Sequence, residues 1–376
     1  MSSRGHSHTE PRVRVKPGTR IRDTFTVDRH LGSGRFADVY LVRHRYLGMQ
    51  AMKLLVDAYE EDAGQEAFRE AFLLSRITHP GIVRVYDANR TGLDECNQPY
   101  ITMEFVDGGT LADVIGASPF GLRAKAALEL ALQIAHAVSH AHSQATPIVH
   151  RDIKPSNILI EKQGDRLRAR VADFGLARAV DRFTECVAAA GTLLYTAPES
   201  LRGFETPASD VFSMGLVLHE LLTGVLPFRQ SALRECTTEA EVRAKLAELH
   251  AGPMPPPSES DPALGPDVDY LVDRMLTRTM EDRIQDAGEA ALVIEACVES
   301  RRVAAEDWEQ GEGRKAAEIA FHVARERGRD AEAVAWFRKA VSLQPGLRIR
   351  LEPFMDLLAR GRELRRGGTS EVRCED

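Results

Sequence analysis

Short apolar runs separated by turn-forming residues characterise the chain from Phe25 to Phe105. The runs are rich in Val, Ile and aromatic residues, and Gly, Asp and Asn stand between them, which is typical of β-strands. One interruption, Asp62 to Thr78, carries apolar residues at helical spacing and ends at the breaker His79-Pro80-Gly81. The pattern therefore predicts a sheet with one helix in this part of the chain.

The pattern changes to longer stretches after Gly109. Apolar residues there recur at helical spacing, and the predicted helices are Leu122–Ser143, Pro207–Thr223, Asp267–Arg278 and Asp286–Glu299. Strands that come first and helices that come later favour two lobes over alternating βαβ units. The predicted fold class is therefore α+β, with a β-rich first lobe and an α-rich second lobe.

The sequence after Glu299 is enriched in Ala, Arg and Glu and predicts a separate helical segment, residues 301–367. Within it, Glu312–Gly346 has the spacing of one tetratricopeptide-like helix pair, although Phe321 stands where a small residue is usual. A lone repeat cannot bury its own face, so a generic helical extension is the alternative. We expect residues 1–20 to form a disordered basic tail, residues 21–300 to form the main domain, and residues 368–376 to form a second disordered tail.

Composition and charge narrow the class of protein. Of the 376 residues, 43% are hydrophobic and 28% are charged, as in globular proteins. The net charge of −7 disfavours a general nucleic-acid binder, which needs a cationic surface. The five cysteines stand far apart and fit reduced thiols better than a disulfide framework or a C-x-x-C metal site. No uninterrupted apolar stretch has the roughly 18 residues of a membrane span, so we expect no membrane span and a cytoplasmic location.

A glycine-rich turn and a lysine in an apolar strand are candidates for binding phosphate. Gly32-Ser-Gly34 joins two strand-like runs, where glycines let backbone amides approach a polyphosphate, but a tight hairpin turn also needs Gly. Lys53 lies within the apolar run Ala51–Val56, so it needs an anionic partner or must reach water at a sheet edge. Glu70 on the predicted helix can supply that partner, and Glu66, one helical turn earlier, competes with it.

The segment His150-Arg-Asp152-Ile-Lys154-Pro-Ser-Asn157 carries the most chemical information. Asp173-Phe-Gly175 begins sixteen residues after Asn157. A carboxylate can accept the proton of a hydroxyl nucleophile, hard oxygen ligands can hold Mg²⁺, and a lysine can offset charge on a transferred phosphoryl group. Asp152, Asn157, Asp173 and Lys154 supply these groups, so the pair of motifs indicates phosphoryl transfer.

Together with Gly191-Thr192 and Ala197-Pro-Glu199, these motifs resemble those of eukaryotic-type (Hanks-type) serine/threonine protein kinases, which also occur in bacteria. The resemblance runs from about Ile21 to Val298. It implies a bilobal protein kinase fold that binds ATP and transfers its γ-phosphate to Ser or Thr hydroxyls of proteins, including its own. Ala37 departs from the pattern at the third glycine of the phosphate loop; the added methyl group is small, and we expect ATP binding to survive.

The resemblance also assigns roles to individual residues. It implies that Asp152 is the catalytic base, that Lys154 contacts the γ-phosphate, and that Lys53 contacts the α- and β-phosphates. It implies that Asn157 and Asp173 hold Mg²⁺, with Mn²⁺ as an alternative. The implied ATP-binding set is Leu31, Gly32, Ser33, Gly34, Val39, Ala51, Lys53, Glu70, Met103, Glu104 and Val106.

Three further residues resemble structural parts of the larger kinase lobe. Asp210 resembles the buried helix carboxylate that anchors the catalytic loop, and Glu199 and Arg283 resemble its structural ion pair. We expect these three to shape the site without touching substrate.

Regulation is expected to involve the activation segment, Gly175 to Glu199. Arg151 precedes the expected base, and in related kinases such an arginine pairs with a phosphate on this segment. Thr184 lies in its middle and is the candidate autophosphorylation site, whereas Thr192 is implied as a residue of the substrate loop. Asp181 and Glu185 offer negative charge without phosphate and remain an alternative.

Two other functions are open to the sequence. A nucleotide-binding scaffold with a silent kinase site would use its C-terminal helices to recruit partners, but the complete set of Lys53, Asp152, Asn157 and Asp173 argues against it. A kinase for small molecules or lipids is opposed by Gly191–Glu199, which resembles a segment that positions peptides. The expected partners are protein substrates, with peptide or protein docking on the C-terminal helices, and no nucleic acid.

Overall fold

The computed structural model describes residues 15–34, 37–55, 68, 71–93, 97–164, 166–174, 193–302, 312–326 and 328–367. The chain forms two compact units. Of the described residues, those up to 78 and those from 83 to 106 belong to the first unit. Residues 79–82 and those from 107 onward belong to the second.

The first unit is built on a six-stranded antiparallel sheet in the order β1-β2-β3-β4-β6-β5. Its strands are β1 (Arg20–Ile21), β2 (Phe25–Ser33), β3 (Ala37–His44), β4 (Gly48–Leu55), β5 (Val85–Arg90) and β6 (Pro99–Glu104). Residues 71–75 are helical, as the sequence predicts for this region. The β-rich first part of the chain is therefore as expected.

The two faces of this sheet differ in character because side chains alternate along each strand. Tyr40, Met52, Leu54 and Tyr100 pack on one face in a buried cluster with Phe25. On the other face the register pairs Val39 with Lys53, Leu41 with Ala51, and Ala51 with Met103. The second face therefore carries several of the residues that the resemblance assigns to ATP.

The second unit is mainly helical and has one small sheet. Its helices are α1 (Leu111–Gly116), α2 (Ala124–His142), α3 (Pro207–Thr223), α4 (Glu239–Ala251), α5 (Gly265–Leu276), α6 (Ala287–Arg302), α7 (Glu312–Ala324), α8 (Asp330–Leu343) and α9 (Arg348–Gly367). The strands β7 (Gly108–Thr110), β8 (Ile158–Gln163) and β9 (Arg166–Val171) form the sheet. Among the residues that the structure describes, every helix falls short of what crossing a bilayer requires.

Helix α3 is buried on almost every side and forms the centre of the second unit. It begins with a capping box between Thr206 and Ser209, and Pro207 at its first turn has the φ that a helix start needs. It ends at Gly224, whose φ of 78° lies in the left-handed region that glycine adopts without strain. Sequence therefore fixes both ends of the helix that carries Asp210.

Helices α7, α8 and α9 pack on α5 through an aromatic cluster. Phe321 of α7 lies with its ring centroid 4.8 Å from Phe337, 4.8 Å from Phe354 and 5.8 Å from Tyr270 of α5. Phe321 is only 2% exposed. The bulky residue at this repeat position therefore contacts both the other C-terminal helices and helix α5.

Candidate active site

The backbone of the segment before Asp152 is held by hydrogen bonds to one buried carboxylate. Asp210 of α3 is 1% exposed. Its Oδ2 accepts a hydrogen bond from the backbone N–H of His150 (2.6 Å), and its Oδ1 accepts one from the N–H of Arg151 (2.9 Å). A carboxylate buried to this degree needs hydrogen-bond donors, and here the backbone N–H groups of the loop before Asp152 supply them. Asp210 thus has the anchoring position that the sequence predicted.

His142 extends this anchor to another helix. Its Nδ1 accepts a hydrogen bond from the N–H of Ala287 at the start of α6 (3.3 Å), so the ring hydrogen lies on Nε2. That Nε2 donates to Asp210 Oδ2 at 2.9 Å. The sequence analysis gave His142 no role, and no spacing rule points to it, because its two partners lie 68 and 145 residues further along the chain.

Asp152 is held by two neighbouring side chains. The Lys154 ammonium donates to both carboxylate oxygens, at 2.8 and 2.7 Å, and Asn157 Nδ2 donates to Oδ2 at 2.8 Å. Asn157 Nδ2 also donates to the backbone carbonyl of Asp152 at 2.8 Å, which fixes the turn. The structure therefore brings Asp152, Lys154 and Asn157 together in one hydrogen-bonded group.

A hairpin brings Asp173 to the same region of the second unit. Ile158 pairs with Val171 at the base of the β8–β9 ladder, and the N–H of Ala172 donates to the carbonyl of Asn157 at 2.9 Å. Asp173 follows directly, with a φ of 62°, and Arg151 has a φ of 71°. Left-handed backbone at non-glycine residues costs about 1–3 kcal/mol and persists where the surroundings hold it, which is common at functional sites.

The donor chemistry of this group fits Mg²⁺. Because Asn157 uses its Nδ2 as a donor, its Oδ1 is the atom with which it can act as a ligand. An amide oxygen and the carboxylate of Asp173 are hard oxygen ligands of the kind that Mg²⁺ and Mn²⁺ prefer. Asn157 and Asp173 are therefore chemically suited to the metal that the resemblance implies.

His150 is a structural residue of this site. Its Nε2 donates to the carbonyl of Ala172 (2.9 Å), its Nδ1 accepts from the N–H of Asp152 (3.3 Å), and its ring lies 4.3 Å from that of Phe174. Burial lowers the pKa of His150, and the surrounding carboxylates only partly offset it. His150 therefore has a neutral ring with both nitrogens engaged, and it packs against Phe174 as a structural support of the loop.

The first unit carries the expected nucleotide-contacting residues. Leu31, Gly32 and Ser33 end β2, and the N–H of Gly34 donates to the carbonyl of Ala37 at 2.7 Å. A Cβ at Gly32 would meet no atom of the described residues, so packing does not require glycine there and a ligand could approach the backbone. Val39, Ala51, Lys53 and Met103 share a sheet face, and Glu104 and Val106 follow at the end of β6.

Three expected residues lie outside the described part of the chain: Glu70, Thr184 and Thr192. The expected Lys53–Glu70 pair therefore remains a prediction, as does the role of both threonines. Arg151 has a partner that the sequence analysis missed: its Nε lies 2.8 Å from Glu205 Oε2. The only signal for Glu205 was its negative charge shortly before the capping box of α3.

Glu199 and Arg283 form the expected ion pair. The two guanidinium nitrogens lie 2.6 and 3.0 Å from the two carboxylate oxygens, and Ser209 Oγ donates to Glu199 Oε1 at 2.7 Å. Burial would raise the pKa of Glu199, but the hydrogen bonds and charge of Arg283 outweigh it and hold the pKa below its ordinary value. The pair ties the segment Ala197-Pro-Glu199 to the region following α5.

Comparison with known proteins identifies the family. The model of the protein kinase domain matches residues 25–296, so the chain belongs to the protein kinase family. It is 35% identical over 283 residues to the probable serine/threonine-protein kinase SCO3848 of Streptomyces coelicolor, and 33% identical over 279 residues to the serine/threonine-protein kinase PknB of Mycobacterium tuberculosis. These matches cover 73% and 72% of this chain but only 40% and 42% of the relatives.

A solved structure supports the same assignment. The kinase domain of PknI from Mycobacterium tuberculosis is similar with a TM-score of 0.57 and 25% sequence identity, over 76% of this chain and 100% of that domain. The α+β protein kinase fold predicted from the sequence is therefore confirmed.

Proposed function

We propose that this chain is a serine/threonine protein kinase that transfers the γ-phosphoryl group of ATP to hydroxyls of proteins. One observation carries the proposal: Asp152, Lys154 and Asn157 form a single hydrogen-bonded group. Asp210 accepts a hydrogen bond from the N–H of Arg151, which precedes Asp152, and the β8–β9 hairpin ties Ala172, the neighbour of Asp173, to the backbone of Asn157. Relatives named as serine/threonine kinases support the choice of substrate class.

In this proposal the hydroxyl oxygen of the substrate bonds to the γ-phosphorus of ATP while Asp152 accepts the hydroxyl proton. The bond between the γ-phosphorus and the oxygen of the leaving ADP breaks in the same step. Lys154, already within hydrogen-bond distance of Asp152, offsets negative charge on the transferred group. Mg²⁺ bound by Asn157 and Asp173 would neutralise phosphate charge. Lys53, paired with Glu70, would orient the α- and β-phosphates, and the apolar residues Val39 and Ala51 would cover the base.

The remaining nucleotide contacts are also part of the proposal. Leu31, Gly32, Ser33 and Gly34 would lie along the phosphates, Met103 would be the gatekeeper, and backbone groups of Glu104 and Val106 would hydrogen-bond adenine. A cytoplasmic location is proposed from the widely spaced cysteines, which fit reduced thiols. The division into 1–20, 21–300, 301–367 and 368–376 and docking on the C-terminal helices are likewise proposals.

Phosphotransfer with and without the base tests the function. The purified chain is incubated with radiolabelled ATP and Mg²⁺, alone and with a generic basic protein. Asp152→Asn is expected to keep ATP binding and to lose about 10²–10⁴-fold in rate, the usual contribution of general-base catalysis. Asp356→Asn, an exposed carboxylate on α9, is the matched control. Labelling by the wild type that Asp152→Asn leaves unchanged would contradict the assignment of the base, and absence of all labelling would favour the silent scaffold.

We place autophosphorylation at Thr184, with Thr192 in the substrate loop. The Arg151–Glu205 ion pair suggests that Glu205 supplies part of the negative charge that Arg151 needs. Thr184→Ala is expected to slow phosphotransfer several-fold, and Thr184→Ala combined with Glu205→Gln is expected to cost more than the product of the two single effects. A phosphosite map of the active enzyme with Thr184 unmodified, together with an unchanged rate for Thr184→Ala, would refute this assignment.

A further inference from the structure

A cavity of about 390 Å³ lies on the second unit, between helix α2, strand β9 and the turn His79-Pro80-Gly81. Its volume is in the range of small-ligand sites. Among the residues that the structure describes, those that line it include two arginines and two histidines but no Asp or Glu. The lining shares no residue with the catalytic group around Asp152 or with the set proposed to bind ATP. The cavity is therefore a separate concave surface of positive charge.

Hydrogen bonds hold the walls of this cavity together. The side-chain amide of Gln133 on α2 donates to the carbonyl of Leu167 at 3.2 Å and accepts from the N–H of Ala169 at 2.9 Å. The N–H of Val171, further along β9, donates to the carbonyl of Gly81 at 2.8 Å. Helix α2 and the turn are thus both attached to β9, so the three walls keep a fixed spacing.

The two arginines are available to a ligand. Arg166 and Arg168 are exposed, and neither guanidinium group has a hydrogen bond or ion pair with any residue in the described part of the chain. Across the β8–β9 ladder, Arg166 faces Gln163 and Arg168 faces Glu161. Glu161 forms no ion pair with Arg168 and does not line the cavity. An anion could therefore bind both guanidinium groups without displacing a carboxylate.

The histidines add donors and positive charge on the opposite walls. His79 accepts a hydrogen bond from the N–H of Gly81 at Nδ1 (3.0 Å), so its ring hydrogen lies on Nε2. Its ring stacks on that of His140, with centroids 5.1 Å apart, and His136 lies one turn before His140 on α2. Burial lowers the pKa of His79, and the positive charges of His140 and His136 lower it further. A negative charge at this position would offset that repulsion.

We propose that this cavity binds a small anion bearing phosphate or clustered carboxylate oxygens, with Arg166 and Arg168 as cations and His79 and His136 as hydrogen-bond donors. A concave surface lined by one sign of charge concentrates ligands of the opposite sign. The planar guanidinium group also matches the geometry of phosphate and carboxylate oxygens. The proposal goes beyond the proposed phosphotransfer function, and its test requires no activity measurement.

NMR of the histidine rings in the full chain tests the proposal. The chain is titrated in Mg²⁺-free buffer with sodium phosphate and, separately, with sodium citrate, and sodium chloride of equal ionic strength is the reference. The ring resonances of His79 and His136 are expected to move in a saturable way. Arg168→Gln is expected to raise the Kd about tenfold or more, the usual effect of losing a hydrogen bond to a charged group. Arg338→Gln, at an exposed position on α8, is the matched control and is expected to leave the Kd unchanged.

The same resonances give a second readout. The pKa of His79, followed through its ring signals, is expected to be higher with bound anion than without it, because the anion offsets the charges of His140 and His136. His136→Gln, at an exposed position, assigns one resonance and is expected to weaken binding. Without anion, Arg168→Gln is expected to keep the Tm of the wild type, because the exposed guanidinium group has no partner among the described residues. Loss of binding by Arg168→Gln is then not a loss of folding.

Each outcome decides the proposal. A saturable shift of His79 and His136 with phosphate, with citrate or with both supports the site and identifies the oxygen groups that it accepts. Equal Kd values for Arg168→Gln and Arg338→Gln would overturn it. Binding of phosphate that leaves His79 and His136 unchanged would place the anion elsewhere, for example among the residues proposed to bind ATP, and would also overturn it. So would shifts in the wild type no larger than those with chloride.

Discussion

The substitution Asp210→Asn tests how the catalytic loop is held. Asp210 accepts three hydrogen bonds, two at Oδ2 from His150 N–H and His142 Nε2 and one at Oδ1 from Arg151 N–H. An amide can offer only one accepting oxygen, and its NH₂ group must face a donor. The arrangement that loses least keeps oxygen toward His150 and His142 and turns the NH₂ group toward Arg151.

The structure also blocks the simplest rescue. His142 could accept a hydrogen bond from an amide NH₂ only through an unprotonated Nε2. Its ring hydrogen would then lie on Nδ1, but Nδ1 already accepts a hydrogen bond from the N–H of Ala287. One charge-assisted hydrogen bond worth about 1.5–3 kcal/mol is therefore lost, and the partly buried N–H of Arg151 is left without its acceptor. We expect a loss of about 3 kcal/mol, which for a chain of 376 residues corresponds to a Tm decrease of about 4 °C.

Hydrogen exchange gives the residue-level measurement. The amide of Arg151 should lose protection by about 10²-fold in Asp210→Asn, since each tenfold step corresponds to about 1.4 kcal/mol. The amide of His150 should keep most of its protection. Phosphotransfer should slow, because Asp152 follows in the same loop, while ATP binding changes little. Unchanged protection of Arg151, with a Tm shift no larger than that of Asp356→Asn, would refute the reasoning.

Four further changes follow from the described contacts. Phe321→Ala should destabilise by about 3–5 kcal/mol in chemical denaturation, because it empties the centre of the aromatic cluster, whereas Leu343→Ala at an exposed position should cost little. Removal of the chain after Arg302 should leave a cooperative thermal transition at a lower Tm, since Tyr270 loses its covering; loss of the transition would show that the segment belongs to the kinase core. Glu199→Gln should cost about 3–5 kcal/mol of stability by leaving Arg283 buried without its anion. Because the pKa of Glu199 is lowered in the folded state, its contribution to stability is present above its ordinary pKa and is lost as the pH falls through the folded-state pKa. His250, with an ordinary pKa of 6.5 and a folded pKa of about 4, should remove about 3 kcal/mol of stability as the pH falls between those values, and His250→Phe should flatten that part of the profile.

The sequence predicted the elements whose hydrophobic pattern is regular. The helix predicted at Pro207–Thr223 has those bounds in the structure, and the helix predicted at Leu122–Ser143 extends from Ala124 to His142. The predicted pair within Glu312–Gly346 corresponds to α7 and α8. These stretches keep one apolar spacing over several turns, so local pattern and tertiary burial agree.

Strands made of polar residues and helices with a weak apolar periodicity could not be predicted. Strand β5, Val85–Arg90, runs mainly through polar residues, and its pairing with β6 overrides the local preference. The β8–β9 hairpin, with the polar strand Arg166–Val171, was not anticipated for the same reason. Helix α4 has almost no apolar face to signal it.

The catalytic group was predictable because its members lie close in sequence, whereas its supports were not. Asp152, Lys154 and Asn157 stand within six residues and meet through short-range hydrogen bonds. The contacts of His142 with Ala287 and of Arg151 with Glu205 join positions that only the tertiary fold brings together.

The β8–β9 hairpin sets the separation of Asn157 and Asp173 by strand pairing and not by the number of residues between them. Ile158 faces Val171 at its base, next to Asn157, and Gln163 faces Arg166 at its tip. Residues added around Gly164 would lengthen the ladder at the far end and leave the base in place. The tip is therefore a suitable position for inserting a fluorescent or affinity peptide. The interval of sixteen residues between Asn157 and Asp173 can change in length without changing the distance between these two residues in the folded chain.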